Sequence, residues 1–218
     1  ETVSSTVDYL VVEEGVYDAA TYGVTMEAVK YRSAVTDSKS SWVGEWQTYA
    51  NSYQNPVVIG QVMSADDPLP SSFWARGDSR ASPPDASTLY TGKTVCEDPD
   101  RIRTDELIGY IVIEAGSGIL GNRYFEAGVG SDTVRGMGDA APYAYPLDNL
   151  ASAEVALLSM AAMDGSDGGW PVLAEDLDPS GTAIGIAVDE DQLKDSERGH
   201  TTEQIAYLVL EYAAVDGN

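Results

Sequence analysis

Thirty-six Asp and Glu side chains and a single histidine are what this chain brings to chemistry. The carboxylates gather in short runs at Asp66-Asp67, Glu97-Asp98-Pro99-Asp100, Asp164-Gly165-Ser166-Asp167, Glu175-Asp176-Leu177-Asp178 and Asp189-Glu190-Asp191. Hard oxygen ligands in such runs suit calcium, although no twelve-residue EF-hand loop with its glycine and closing glutamate fits. Asp67, Asp98, Asp164 and Asp195 are the calcium candidates, because Asp67/Asp164 and Asp98/Asp195 recur at one spacing. A solvated acidic surface is the competing reading. Two carboxylates about 5–9.5 Å apart would instead serve glycoside hydrolysis, a separation that sequence does not display.

His200 is expected to hydrogen-bond a neighbouring carboxylate or carbonyl, since a lone imidazole needs a partner nucleophile or base before it can catalyse. No Gly-x-Ser-x-Gly elbow supplies one. Arg101 and Arg198 are each followed by a glutamate, Glu106 and Glu203, with Thr104 and Thr201 between. A planar guanidinium suits a bidentate carboxylate bond that pins a loop. The functional alternative is a duplicated sugar pocket read by Arg, Glu and Thr. Trp74 and Trp170 fall in corresponding stretches, where an exposed indole would stack on a sugar ring and a buried one would serve a core or an interface; Trp42 and Trp46 are the other two. Arg76-Gly77-Asp78-Ser79 spells an adhesion tetrapeptide that is short enough to arise by chance.

The elements that must carry these residues are organised by an internal repeat. Tyr9-Leu-Val-Val-Glu13, Tyr110-Ile-Val-Ile-Glu114 and Tyr207-Leu-Val-Leu-Glu211 share one pattern. Asp98 to Glu106 aligns with Asp195 to Glu203 at the 97-position spacing that separates Tyr110 from Tyr207, and Val58/Val155, Met63/Met160 and Ala65/Ala162 keep it. Glu27-Ala28 meets Glu126-Ala127 after a small insertion. Short apolar runs (Tyr9 to Glu13, Val24 to Tyr31, Pro56 to Met63, Phe73 to Ala75, Leu89 to Cys96, Leu107 to Glu114) alternate with Gly, Pro and Asp, the pattern of an antiparallel sandwich. Asp148 to Met163 has helical propensity, but its counterpart Asn55 to Met63 is β-branched, so the repeat predicts strand there too. The expectation is an all-β chain of two tandem antiparallel β-sandwich repeats, residues 1–114 and 115–218, sharing the Tyr110 strand as a stiff, rod-like junction.

Composition narrows the function. Twelve Lys and Arg against the 36 acids leave a net charge of −24, which repels nucleic acid and suits salt or divalent cations. Forty-three per cent apolar residues suffice for a core. Cys96 has no internal disulfide partner and is left as a free thiol or an intermolecular bridge. No apolar run nears a membrane span, and no signal-peptide pattern opens the sequence, so a leader on the secreted reading is already gone.

The segment Arg198-Gly-His-Thr-Thr-Glu-Gln-Ile-Ala-Tyr-Leu-Val-Leu-Glu211 resembles the closing segment of repeat modules in large secreted or cell-surface bacterial proteins, distantly like the H-type lectin domain. Residues 98–114 depart from it by placing Arg103 where the motif has histidine. The resemblance implies a β-sandwich, a secreted or cell-surface setting and affinity for glycans. The expected function is a non-catalytic adhesion or structural module with lectin-like carbohydrate binding, through Trp74, Trp170, Arg101, Arg198, Glu106 and Glu203. The alternative is a subunit of an extracellular filament or sheath, a homo-oligomer or polymer joined by edge strands and calcium; a polysaccharide-acting enzyme is third. Partners are glycans, further copies or other surface proteins, with no nucleic acid; calcium is the only cofactor considered.

Overall fold

The computed structural model describes residues 9–39, 41–177 and 182–211; Asp178 of the fourth acidic run lies outside them. The described chain is all-β. Its strands are β1 (Gly15–Tyr17), β2 (Met26–Ser33), β3 (Thr36–Asp37), β4 (Glu45–Gln47), β5 (Pro56–Val62), β6 (Ser72–Arg76), β7 (Leu89–Thr94) and β8 (Glu106–Glu114). They continue as β9 (Gly116–Leu120), β10 (Arg123–Val129), β11 (Tyr143–Pro146), β12 (Val155–Met160), β13 (Trp170–Leu173), β14 (Ala183–Asp189) and β15 (Ile205–Leu210). One helical turn, α1 (Ala19–Tyr22), is capped by Asp18 and closed by Gly23 at φ 75°.

Four strands form an antiparallel sheet in the order β1-β2-β8-β5. Four others run β9-β10-β15-β12, and a single parallel bridge from Met160 to Trp74 extends them to β6 and β7, on which β3 and β4 pair. β11-β14-β13 is a third sheet, and none of the sheets closes.

Side-chain alternation explains the layers. In β8, Ile108, Tyr110 and Val112 face Phe73, Ala75 and Leu89 of β6 and β7. Ile113 points the other way, where Met26, Val57 and Ile59 meet Phe125, Ala127, Leu208 and Leu210 of the second four-stranded array. A third core joins Val209 and Ile205 to Tyr145, Ile184, Ile186 and Val188, with Trp74 inserted from β6. A strand buried on both faces must be apolar at odd and even positions alike. This is why Tyr-Ile-Val-Ile and Tyr-Leu-Val-Leu read as continuous runs.

Three expectations change. β8 is paired on one side with β2 and on the other with β5, so neither edge is left for a strand of the second half. The two arrays meet face to face across the middle core, not end to end as a rod. Tyr9 to Glu13, the expected opening strand, joins no sheet among the described residues. The segment with helical propensity does contain a strand, β12. Pairing also shows a one-residue slip: Val57 lies opposite Ile113, and Val155 lies opposite Leu210. Val155 therefore matches Val57 in position, and the uniform spacing that aligned it with Val58 would have turned it to the wrong face.

Candidate functional site

Where the end of β7 meets the entry to β13, the two halves of the chain enclose a cleft of about 260 Å3. Pro70, Ser71, Ser72, Thr94, Val95, Cys96 and Asp98 line it from one half; Trp170, Asp191 and Leu193 line it from the other. Its floor is a tight turn. Cys96 takes φ 52°, its N–H donates to Thr94 Oγ1 at 3.0 Å, and Asp98 N returns to the Val95 carbonyl at 3.0 Å. Gly168, at φ 83°, lets the approach to Trp170 pass Trp42 and Cys96 where a Cβ would lie 2.7 Å from the indole. Asp98 is fixed by the buried Arg103 at 2.7 Å, and Asp191 accepts Glu97 N at 3.0 Å and Leu193 N at 3.1 Å. A partly exposed indole, the oriented Asp98 and Asp191 and the serines Ser71 and Ser72 thus border one concavity whose wall is mostly apolar. Burial pushes the Cys96 thiol up to about 12, so the cysteine is an apolar wall and not a nucleophile.

A second cleft, of about 320 Å3, is bounded by Asp164, Gly165, Ser166, Asp167, Glu190, Gly199, His200 and Thr201. His200 is buried with Nδ1 against Glu190 Oε1 in a short contact and Nε2 2.8 Å from Glu203 Oε1. Burial disfavours the imidazolium, but hydrogen bonds and charge from the two glutamates outweigh it and raise the histidine's pKa. Glu190 is itself pushed up by burial, to about 7, against the pull of His200. Asp164 is raised by burial and by the charge of Glu203. Both ring nitrogens are engaged, and Ser166 donates to Asp167 at 3.0 Å, so no hydroxyl is bonded to the imidazole. The arrangement holds a proton; it does not display an activated nucleophile.

Comparison with family models, with curated proteins and with solved structures found no match. No helix among the described residues is long and apolar enough to cross a membrane.

The other sequence candidates separate. Trp74 is 1% exposed and gives its indole N–H to Asp37 at 3.1 Å, so it offers no ring face to a ligand; Trp42 packs on it edge to face at 5.2 Å. Glu106 and Glu203 are equally buried, and the expected arginine partners are absent. Glu106 accepts Ser64 Oγ and the amides of Asp66 and Asp67, at 3.2 and 2.7 Å, while Glu203 accepts those of Asp164 and Gly165, at 2.9 and 2.7 Å. Arg198 forms its bidentate bond with Asp189, both contacts at 2.7 Å, and the exposed Arg101 has no partner among the described residues. Loop amides already fixed by the fold, with the Ser64 hydroxyl at Glu106 and the His200 imidazole at Glu203, take the acceptor positions that a guanidinium was expected to fill.

Of the calcium candidates, Asp67 accepts Leu69 N and Thr104 N, Asp98 accepts Asp100 N and Arg103, Asp195 accepts Glu197 N, and Asp164 borders the His200 cleft. Among the described residues no group of three or more His, Cys, Asp or Glu is set to hold a metal ion. The expected bonding of the cation at position 103/200 is present in both halves, since Arg103 also donates to the carbonyls of Pro70, Asp100 and Ile102.

Sequence reasoning gave Trp46 no role. It lies opposite Tyr90, which lies opposite Arg76, so the three form one row across β4, β7 and β6. Trp46 is 55% exposed and edge-on to Tyr90 at 5.2 Å, while the Arg76 guanidinium covers the Tyr90 ring at 3.7 Å and donates to the Val43 carbonyl. The arginine of the adhesion-like tetrapeptide is thereby tied to the sheet. Only strand register could have revealed the row.

Proposed function

We propose that the chain is a non-catalytic, secreted or cell-surface module, made of two copies of one sandwich unit over residues 1–114 and 115–218, that binds carbohydrate in the Trp170 cleft. One observation carries the reading. Trp170, Asp98, Asp191, Ser71 and Ser72 line a single concavity of about 260 Å3, somewhat below the ~300 Å3 at which pockets for drug-sized ligands begin. That size suits one sugar ring. The C–H face of a pyranose stacks on an indole, and its hydroxyls bond to carboxylates and serines. The similarity to lectin-like repeat modules supports the same reading. So does the recurrence of strand order, β1-β2-β8-β5 and β9-β10-β15-β12.

The deciding experiment is binding of the labelled chain to a glycan array, with and without millimolar calcium, for the native chain, Trp170→Ala and Trp46→Ala. Saturable binding to a related set of sugars, abolished by Trp170→Ala and kept by Trp46→Ala, is the expected result. Calcium dependence would bring the acidic loops into the site. Loss with Trp46→Ala alone would move the site to the outer row, and silence of the native chain would end the carbohydrate reading. Release of reducing ends from any bound glycan would favour the polysaccharide-acting enzyme.

A further inference from the structure

Residues 9–13 have the sequence of a central strand and join no sheet among the described residues. Tyr-Leu-Val-Val-Glu repeats the patterns of Tyr110–Glu114 and Tyr207–Glu211, and each of those runs lies between two antiparallel neighbours. The segment itself alternates as a strand does. Leu10 and Val12 rest on the middle core, while Tyr9 and Val11 are 79% and 80% exposed. Residues 9–12 enter no backbone hydrogen bond among the described residues, and the Glu13 carbonyl accepts only the Tyr17 hydroxyl at 2.5 Å. A segment with one apolar face seated and one bare, and with its amides unpaired among the described residues, is open to a neighbouring strand.

β9 presents the complementary defect. Among the described residues it pairs with β10 alone, which leaves its other edge open there, and Gly116-Ser-Gly-Ile-Leu120 contains no proline and none of the charges that guard exposed edges. Ile119 is 40% exposed there. In a chain of net charge −24 the two five-residue strips carry one charge between them, that of Glu13. We propose that residues 9–13 of one molecule pair with the β9 edge of a second copy of this chain. Donor and acceptor are different surfaces, so the contact is head-to-tail and propagates into a filament, or a ring where the rotation closes. It shares no residue with the Trp170 cleft and stands or falls apart from sugar binding.

The test is sedimentation velocity of the full chain from micromolar to millimolar concentration, at low salt and at about 0.15 M salt, where the Debye length is about 8 Å and the repulsion between acidic copies is screened. The native chain should grow in mass with concentration, more so in salt. Val11→Pro, which removes an amide donor, and Ile119→Lys, which charges the edge, should each hold the chain at 23.2 kDa. Val11→Lys repeats the first test without altering the backbone. An unchanged melting temperature shows that each variant folds. Oxidising Val11→Cys chains with Ile119→Cys chains should yield a mixed disulfide dimer. A native chain that stays monomeric throughout, or one whose association survives Ile119→Lys, overturns the proposal.

Discussion

Glu27 and Glu126 hold the same station in their sheets. Glu27 lies opposite Val112 on β8, Glu126 lies opposite Val209 on β15, and each buried carboxylate bonds two successive backbone amides of a loop 22 to 24 residues onward. The amides are those of Ala50 and Asn51, at 2.8 and 2.9 Å, and of Asp148 and Asn149, at 3.1 and 2.7 Å. Glu106 and Glu203 make the same use of their loops. Part of the chain's acidity is therefore structural: carboxylates supply acceptors for loop amides that no strand reaches.

Removing one of these carboxylates orphans two amides. Glu27→Ala and Glu126→Ala should each cost about 1–3 kcal/mol in urea unfolding, the usual cost of an unsatisfied buried group. Glu27→Gln should cost less than Glu27→Ala, because its carbonyl oxygen still accepts. Equal losses for Gln and Ala would mean that charge, not acceptor geometry, holds the loop.

Glu97 bridges the halves. Its Oε1 lies 2.8 Å from both Lys39 and Lys194, with Asp167 3.1 Å from Lys39. Burial opposes its ionisation, yet the two ammonium groups hold its pKa below the ordinary carboxylate value. A double-mutant cycle of Glu97→Gln with Lys194→Met should return a coupling of about 0.5–3 kcal/mol, the range for residues in contact. Strict additivity would show the bridge to be idle.

Cys96 lies at the foot of the Trp170 cleft with its thiol buried and its pKa up at about 12. Iodoacetamide at pH 8 should label it slowly in the folded chain and quickly once denaturant unfolds it. Fast labelling without denaturant would place the thiolate in solvent and reopen an intermolecular bridge.

How much of this was readable beforehand depended on whether a residue's partner was local. β5, β6, β7 and β8 were marked by apolar runs between turn residues, and β12 by its repeat partner in spite of helical propensity. Tyr9 to Glu13 carries the same pattern as the end of β8 without, among the described residues, the neighbours that make a strand, because strand formation belongs to pairs and not to segments. The slip that makes Val57 the counterpart of Val155 was hidden by a uniform spacing.

The site was legible only in pieces. Trp170 and Asp98 were singled out for different chemistries, sugar stacking and calcium, and the fold brings them into one cleft with Asp191. Trp74 looked equivalent to Trp170 but is buried in the third core with Trp42 packed on it. Arg198 found Asp189, nine positions away, in place of Glu203. Residue type predicted that these side chains would bond. It did not choose among many carboxylates.

The His200 cluster makes stability depend on pH in a direction that can be worked out. The histidine's folded pKa lies above 6.5, and burial raises Glu190 from 4.5 to about 7. Each binds its proton more tightly folded than unfolded, so the stability it contributes is complete below the unfolded pKa and is lost as pH rises through the folded one. Glu97, Glu106, Asp67 and Asp167 have lowered values and act oppositely, since their contribution is lost as pH falls below the ordinary carboxylate range. The melting temperature should therefore peak between about pH 4.5 and 6.5 and decline toward pH 8. Replacing the pair, Glu190→Gln with His200→Gln, should flatten the decline above pH 6.5 and leave the acid limb intact. A native profile that rises from pH 6 to 8, or a decline that survives the double replacement, would show that the proton held between Glu190 and His200 does not set the alkaline limb.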